Sequence, residues 1–232
     1  MIQLYRGDCL QEIKKIPDKS VDLVLTDPPY GIDFQSAWRT EKEKRYAKIA
    51  NDKKPFIDFI KEIPRVVKET GAVIVFSRWD VQQKFMDEME RCDMKPKGVL
   101  IWHKGGGGMG DLKKSWAADY ETAIYWAGEK FEFQHGRPGS SVIKSAKVPT
   151  EKIKHPNEKP VDLLRFIISE TCPMGGTVLD CFMGSGSTGE AAKKSGRDFI
   201  GIELDAKYYE MAKQRILKSH EQIDLMTVLE ET

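Results

Sequence analysis

The hydrophobic and polar positions along the chain form two kinds of segment. Short runs rich in β-branched and aromatic residues predict strands, and segments with apolar residues three or four positions apart predict helices. The strand segments are 2–5, 21–25, 72–77, 98–103, 120–127, 176–180 and 199–203. The helical segments are 9–16 after Asp8, 55–69, 80–92, 161–170, a stretch ending near Lys194 and another from Asp205 through Ile216. This order predicts an α/β protein with a mostly parallel sheet.

The strand at 21–25 ends in a turn of unusual composition. Thr26 and Asp27 are followed by Pro28, Pro29 and Tyr30. Two consecutive prolines cannot continue a strand ladder, because they lack the N–H and have a fixed φ. The chain therefore leaves the sheet in a stiff turn at the strand's carboxyl end, where open α/β sheets bind their ligands. The alternative is a plain strand-ending turn with a surface tyrosine.

A second turn follows the strand at 176–180. Asp180 ends that strand, and Gly184 and Gly186 follow before the next helix. The glycines let the main chain approach a ligand closely, and the helix amino end supplies free N–H groups. Glu203 ends the next strand, where a carboxylate can accept both hydroxyls of a ribose. The spacing predicts a nucleoside site. Because Asp180 suits a cationic amino group better than a pyrophosphate, S-adenosylmethionine is favoured over NAD.

The composition is that of an ordinary globular protein and predicts one domain, 1–232. The 232 residues are 40% hydrophobic and 31% charged. No apolar run approaches the ~18 residues of a membrane span, and the first residues lack the pattern of a signal peptide. The 4 cysteines form no CxxC pair. We therefore expect free thiols in a reducing cytoplasm and no zinc site.

The net charge of +1 conceals two basic stretches. Residues 36–54 carry seven Lys or Arg against three Asp or Glu, and residues 95–160 carry twelve against seven. Segregated positive charge fits contact with a phosphate backbone, although solvated surface faces give similar counts. The glycine run at 105–110 is either a flexible loop or a segment that becomes ordered on a polyanion.

Several of these motifs together resemble those of the amino-directed DNA methyltransferases. The turn at 26–30 resembles their catalytic motif, and 180–188 resembles their cofactor motif, with Cys181 where the family usually has proline. The strand end at Glu203 is similar to their ribose-binding position, and Asp8 stands where the family's acid reads the cofactor adenine. Residues 155–160 resemble the segment that leads into the helix beside the methionine end, with Asn157-Glu158 as a variation.

The order of the motifs resembles the permuted β group of these enzymes, which includes phage and restriction-associated members. This resemblance implies a Rossmann-like class I methyltransferase fold, circularly permuted, with helices on both faces of a twisted sheet. The polar and basic composition of 33–54, with scattered aromatic residues, predicts a mobile loop or irregular helix that covers the site. The resemblance does not extend to roughly 33–54 and 105–150, where target recognition would lie, and we expect an inserted target-recognition region at 105–154.

The resemblance implies S-adenosylmethionine as cofactor, no metal, and two groups of site residues. The catalytic residues are Asp27, Pro28, Pro29 and Tyr30. The cofactor-binding residues are Asp8, Cys9, Asp27, Lys159, Asp180, Phe182, Gly184, Ser185, Gly186, Ser187, Thr188, Glu203 and Leu204. Asp8 acting only as a helix cap remains an alternative.

The reaction implied is methylation of N6 of an adenine in duplex DNA. Asp27 and the Pro28 carbonyl would accept the two amino hydrogens, and Tyr30 would stack on a base flipped out of the helix. Adenine is favoured because an aspartate leads the motif. The alternatives are N4 of cytosine and a non-catalytic DNA-binding protein that keeps the fold. Methylation of RNA or of a protein glutamine is a further alternative, but the related Pro-Pro-Tyr enzymes that perform it have the cofactor motif before the catalytic motif.

The expected partner is double-stranded DNA in a bacterial cytoplasm, at the nucleoid, with no membrane contact. The resemblance is compatible with a monomer or a homodimer, and with a cognate restriction endonuclease.

Overall fold

The computed structural model describes residues 1–31, 54–106, 113–114, 116, 118–148 and 158–219. The strands are β1 Ile2–Arg6, β2 Val21–Thr26, β3 Val67–Ser77, β4 Gly98–His103, β5 Tyr120–Ala127, β6 Val142–Lys144, β7 Thr177–Asp180 and β8 Asp198–Glu203. The α-helices are α1 Cys9–Glu12, α2 Ile63–Val66, α3 Gln82–Arg91, α4 Val161–Thr171, α5 Ser187–Lys194 and α6 Ala206–Lys218. Short 3-10 segments cover Ile13–Lys15 and Asp58–Glu62.

The strands form one mostly parallel sheet, which confirms the predicted architecture. Within the described ranges its order is β1-β8-β7-β2-β3-β5-β4-β6. The first five of these strands are parallel, and β5 runs antiparallel to both β3 and β4. The chain proceeds from β2 to β3 in one direction and from β7 to β8 in the other. The position between the adjacent strands β2 and β7 is therefore a topological switch point, where open α/β sheets bind ligands.

Helices cover both faces of this sheet. Phe59 and Phe85, from the Asp58–Glu62 segment and α3, pack with Val24 of β2 on one face. Leu23 and Leu25 of β2 pack with α4, α5 and α6 on the opposite face. All six residues of β2 are buried. Side chains alternate across a strand, so a strand covered on both faces is apolar almost throughout, apart from Asp22 and Thr26.

The helix predicted for 55–69 is wrong over most of its length. A 3-10 segment and the single turn of α2 occupy the first part, and β3 begins already at Val67. Val67 pairs with Val21, and the register then shifts so that Ala72 pairs with Leu23. Lys68 donates to both oxygens of Asp22 at 2.8 Å. Pairing with β2 therefore overrides the helical spacing of the apolar residues.

The stretch 105–154 contributes two strands to the sheet. β5, which its apolar run predicted to be a strand, lies between β3 and β4. β6 pairs with β4 at the end of the sheet, and no periodicity in the sequence predicted it. The rest of this stretch lies partly outside the described ranges. Most of the predicted loop at 33–54 and the tail from residue 220 also lie outside them.

Among the described helices, none is long and apolar enough to cross a membrane.

Candidate active site

Four carboxylates lie at the carboxyl ends of neighbouring parallel strands. Glu203 ends β8 and Asp180 ends β7, while Asp8 and Asp27 follow β1 and β2. Because β1, β8, β7 and β2 are consecutive in the sheet, the four acids line one edge. The two predicted turns therefore meet at the switch point between β7 and β2.

The catalytic turn is braced from both sides. The Asp27 carboxylate, whose side chain is 20% exposed, accepts from Lys159 Nζ at 2.5 Å through Oδ2. The buried Tyr30 donates its hydroxyl to Asp27 Oδ1. The Pro29 carbonyl accepts from Phe56 N–H at 3.0 Å, and Tyr30 forms a β-bridge with Pro55. The position of the carboxylate is thus fixed by contacts from distant parts of the chain.

The charges around Asp27 oppose one another. Burial raises the pKa of Asp27 above its ordinary value, and the Lys159 ammonium only partly offsets this. Burial lowers the pKa of Lys159, but Asp27 and Glu121 together raise it by more. Lys159 is therefore charged at neutral pH.

Lys159 belongs to a row of alternating charges that includes two residues the sequence did not single out. Its Nζ lies 3.1 Å from Glu121 Oε2, and Lys104 Nζ lies 2.6 Å from Glu121 Oε1. The Lys159 ammonium also lies 4.8 Å from the centre of the Phe76 ring. The sequence feature that could have pointed to Glu121 is its charge within the otherwise mainly apolar segment 120–127.

The cofactor turn begins at the buried Asp180, which is 3% exposed. Its Oδ1 accepts from Thr26 Oγ1 at 2.8 Å and from Phe182 N–H at 3.0 Å. Thr26 Oγ1 in turn accepts from Cys181 N–H at 3.2 Å. Burial raises the pKa of Asp180 to about 6, against the effect of these donors. A hydroxyl of β2 thus orients the acid of β7 and couples the two turns.

The glycines of this turn have backbone conformations that fit the predicted close approach. Gly184 and Gly186 have φ of 50° and 83°. A Cβ on Gly186 would lie 2.8 Å from the Cα of Ala212 in α6. Gly184 N–H donates to Glu203 Oε2 at 2.9 Å, and Asp205 N–H donates to Oε1 at 2.8 Å. Burial also raises the pKa of Glu203, so a partly desolvated acid is held beside the turn.

The other predicted cofactor residues lie along the same edge with differing exposure. Those that are buried are Cys9, Ser185, Ser187 and Thr188, and Leu204 is exposed. The half-buried Phe182 packs edge-on against Phe56 and Phe59, with ring centres 5.6 and 5.1 Å apart. Cofactor contacts of all these residues stay predictions.

Asp8 and Lys159 have structural partners in addition to their predicted cofactor role. Asp8 accepts from Leu10 N–H at 2.8 Å and caps α1, as the sequence predicts. Lys159 contacts carboxylates of the catalytic turn and β5. Its neighbour Glu158, whose contacts the sequence could not assign, pairs with Arg215 at 2.7 Å. Arg215 also donates to Ser185 Oγ at 3.3 Å, which ties the segment before α4 to the glycine turn.

Within the described ranges, no group of three or more His, Cys, Asp or Glu side chains could hold a metal ion. The 4 cysteines are free.

The sheet order, the helices on both faces and the glycine turn next to an acid-ended strand define a class I methyltransferase fold. The profile of the family described as DNA methylase, covering N6 and N4 enzymes, matches residues 21–214. The chain belongs to this family of S-adenosylmethionine-dependent amino-DNA methyltransferases, as the motifs predicted. Its catalytic motif precedes its cofactor motif, which is the permuted order.

Curated relatives and solved structures agree with this assignment. The chain is 28% identical to the DNA adenine methyltransferase YhdJ of Escherichia coli, covering 92% of this chain and 82% of the relative. It is 27% identical to the type II methyltransferase M.HinfI of Haemophilus influenzae, covering 92% and 67%. The structure of M1.HpyAVI with SAM is 27% identical and has a TM-score of 0.72, covering 93% and 99%. The cytosine-N4-specific PvuII methyltransferase, 18% identical, has the same fold, with a TM-score of 0.72 over 99% and 90%.

Proposed function

We propose that this DNA methyltransferase transfers the methyl group of S-adenosylmethionine to N6 of an adenine flipped out of duplex DNA. The observation that carries the proposal is the position of Asp27. Its carboxylate follows β2 directly beside the cofactor turn of β7, and the bond from Thr26 to Asp180 joins the two turns at 2.8 Å. Adenine is supported by the aspartate that leads the motif, and by the likeness to a relative named as an adenine methyltransferase.

The turn at Asp27 supplies rigid acceptors for an amino group. The exocyclic nitrogen of adenine is a poor nucleophile because its lone pair is delocalised into the ring. Asp27 and the Pro28 carbonyl accept its two hydrogens and draw the nitrogen towards tetrahedral geometry. The Pro29 carbonyl is engaged by Phe56 N–H, so it belongs to the scaffold. Rigid placement of the acceptors removes much of the entropic barrier.

The target amino group has to leave the duplex to reach these acceptors. Tyr30, next to Asp27, is the stacking partner for the flipped base, a contact worth roughly 1–3 kcal/mol. Its hydroxyl donates to Asp27, so the ring and the carboxylate are positioned together.

S-adenosylmethionine supplies a methyl group on a sulfonium sulfur. The new N–C bond would form as the C–S bond breaks, with the bonding pair staying on sulfur. The amino nitrogen would then lose a proton, which Asp27, as the proposed acceptor of that hydrogen, would take and pass to solvent. Lys159 is already protonated and serves to hold the carboxylate.

The cofactor is held by the acids at the edge of the sheet. Asp180 would hold the cationic amino group of the methionine end, Glu203 would accept the ribose hydroxyls, and Asp8 would bind the adenine. Two features of the chain fit this ligand. Gly184 and Gly186 give the turn a left-handed backbone, and backbone N–H groups orient the Glu203 carboxylate.

The stretches at 33–54 and 105–154 contact the DNA in this proposal, the first as a cover over the site and the second as the recognition region. The described residues that flank the undescribed part of the first stretch, Gly31 and Lys54, lie next to each other at the catalytic turn. A Cβ on Gly31 would lie 2.5 Å from the backbone of Lys54, and Tyr30 bridges to Pro55. Action in the bacterial cytoplasm, homodimer formation and a cognate endonuclease stay predictions.

The base assignment is tested by incubating the protein with tritiated S-adenosylmethionine and DNA from a methylation-deficient host. The expected result is label in N6-methyldeoxyadenosine after digestion to nucleosides. Asp87→Ala, a substitution of an exposed aspartate on α3, serves as a protein control and should label equally. Label confined to N4-methyldeoxycytidine would contradict the adenine assignment and support the cytosine alternative.

A further inference from the structure

Glu121 on β5 is a charged side chain for which the proposed reaction has so far given no role. It lies one strand beyond β3, and β3 separates it from the catalytic strand β2. Its side chain is 25% exposed and contacts the ammonium groups of both Lys104 and Lys159. Partial burial of the Glu121 carboxylate costs stability unless its charge is paired, so its two lysine contacts are needed to keep it in this position.

Lys159 stands between two carboxylates. Its ammonium lies 2.5 Å from Asp27 Oδ2 and 3.1 Å from Glu121 Oε2, and its side chain is only 7% exposed. A lysine side chain is long and flexible, and a single contact would leave its head free to rotate. With a carboxylate on each side, the ammonium is held at one place.

The Asp27 carboxylate must hold Lys159 and still accept a hydrogen from the target amino group. Each carboxylate oxygen has two lone pairs, so Asp27 can accept from Tyr30, from Lys159 and from a base together. This works only when the carboxylate plane keeps one orientation. The Asp27 plane is set by Tyr30 on Oδ1 and by Lys159 on Oδ2.

We propose that Glu121 is a positioning residue for methyl transfer, which holds Lys159 against Asp27 and so fixes the direction in which the catalytic carboxylate faces the target amino group. This inference rests on the proposed role of Asp27. Lys104 completes the row at 2.6 Å from Glu121, immediately before the glycine run at 105–110. The row thus joins the catalytic carboxylate to the start of the predicted recognition region.

The charges facing Asp27 give this role a signature in pH. Lys159 lowers the pKa of Asp27, whereas Glu121 raises it, as does burial, and Asp180 on β7 is a further negative neighbour. Arg78, which follows β3, is a positive charge near Tyr30, the residue that donates to Asp27. Removing the charge of Glu121 should therefore lower the pKa of Asp27, and removing the charge of Lys159 should raise it.

The test compares Glu121→Gln with Glu69→Gln, a matched change in an exposed pair with Lys130. For Glu121→Gln we expect kcat at saturating DNA and cofactor to fall about tenfold, which is ~1.4 kcal/mol of barrier. KM for the cofactor should change less than kcat, since Glu121 reaches the cofactor only through Lys159, which the variant retains. The acid limb of the kcat profile should move to lower pH. Lys159→Met should move it to higher pH, and Glu69→Gln should leave it unchanged.

A second readout does not depend on DNA. The Asp27 carboxyl signal in ¹³C NMR, assigned by its loss in Asp27→Asn, should titrate lower in Glu121→Gln and higher in Lys159→Met. Unchanged titration and kcat in Glu121→Gln would overturn the inference even if N6 of adenine is methylated. Conversely, a shifted Asp27 titration alongside full activity of Asp27→Ala would show that the contact exists but that the proposed role of Asp27, and with it the positioning role of Glu121, fails.

If Glu121→Gln does not fold, Glu121→Asp decides, because it keeps the charge and withdraws it by one methylene. Reduced kcat with the acid limb near that of the unaltered protein is expected. Full kcat in Glu121→Asp would overturn the positioning role.

Discussion

The cofactor turn and the catalytic turn lie on adjacent strands, yet they are held in different ways. At the cofactor turn, backbone N–H groups of Gly184 and Asp205 orient Glu203, and left-handed glycines shape the chain. At the catalytic turn, side chains from far along the sequence orient Asp27, above all Lys159, which is 132 residues away. The cofactor turn is shaped mainly by backbone hydrogen bonds and glycine conformation, although Thr26 of β2 also orients its Asp180, whereas the catalytic turn is held by side chains distant in sequence. Substitutions should therefore affect binding at the first and chemistry at the second.

The largest expected effect at the cofactor turn comes from Gly186→Ala. Its φ of 83° disfavours a side chain, and the added Cβ would lie 2.8 Å from the backbone of Ala212. We expect cofactor affinity to weaken by about 100-fold, ~2.7 kcal/mol, measured by calorimetry. Gly136→Ala is the matched control, with φ of 74° and no atom within 4 Å of the added Cβ. Equal affinities in the two variants would show that the contact with α6 does not shape the turn.

Asp180→Asn should weaken cofactor binding while stabilising the fold at neutral pH. The pKa of Asp180 is raised to about 6, so the folded state binds the proton more tightly than the unfolded chain does. The contribution of this group to stability therefore falls as pH rises from about 4 to about 6, by up to roughly 3 kcal/mol. Asp180→Asn cannot lose stability in this way. The difference in the free energy of unfolding between the variant and the unaltered protein, measured with urea, should therefore grow from about pH 4 to about pH 6.

The control for this prediction is Asp87→Asn, at an exposed site on α3. It should follow the unaltered protein at every pH. An Asp180→Asn curve parallel to that of the unaltered protein would mean that Asp180 titrates at its ordinary pKa.

Thr26→Val should affect both turns, because its hydroxyl joins them. The variant removes the bond to Asp180 at 2.8 Å and the one from Cys181 N–H at 3.2 Å. We expect a loss of about 1–3 kcal/mol in the free energy of unfolding. The pKa of Asp180 should also rise further, so that cofactor binding weakens at a higher pH than in the unaltered protein. Thr26→Ser keeps the hydroxyl and should restore both properties. Equal stability and equal pH dependence of cofactor binding in the Val and Ser variants would show that the Thr26 hydroxyl does not couple the two turns.

The smallest expected effect concerns the DNA surface. Lys144 and Lys147 are exposed and lie in the predicted recognition region. Replacing both by Gln should reduce the salt slope of DNA binding by up to about 2, since each phosphate contact contributes ~0.9. Filter binding at several salt concentrations measures this. Lys213→Gln, at an exposed position on α6, should leave the slope unchanged. An unaltered slope in the double variant would remove these two lysines from the interface.

The strand-turn-helix geometry at 180–188 was predictable because several of its determinants lie close together in the sequence, while its cofactor contacts stay predictions. Gly184, Gly186 and Glu203 have roles set by spacing and backbone conformation, and the caps at Asp8 and Asp205 depend on residues two or three positions away. Such short-range features can be recognised in a linear pattern.

The partners of Asp27 could not be predicted in this way. Glu121 reaches Lys159 only because β5 lies beside β3 in the sheet, and hydrophobic periodicity does not give strand order. The same limit explains the wrong helix at 55–69, where pairing of Val67 with Val21 decided the structure. Residue 67 has an apolar side chain that suits either a helix or a strand.

The central claim is that Asp27 performs the chemistry and the neighbouring turn binds the cofactor. Asp27→Ala tests it most directly, with cofactor affinity by calorimetry and single-turnover methyl transfer to DNA measured on the same preparation. The account predicts a rate lower by about 1,000-fold or more, ~4 kcal/mol of barrier, while cofactor binding stays detectable and weakens by a much smaller factor. A variant that still methylates adenine at the full rate would contradict the account.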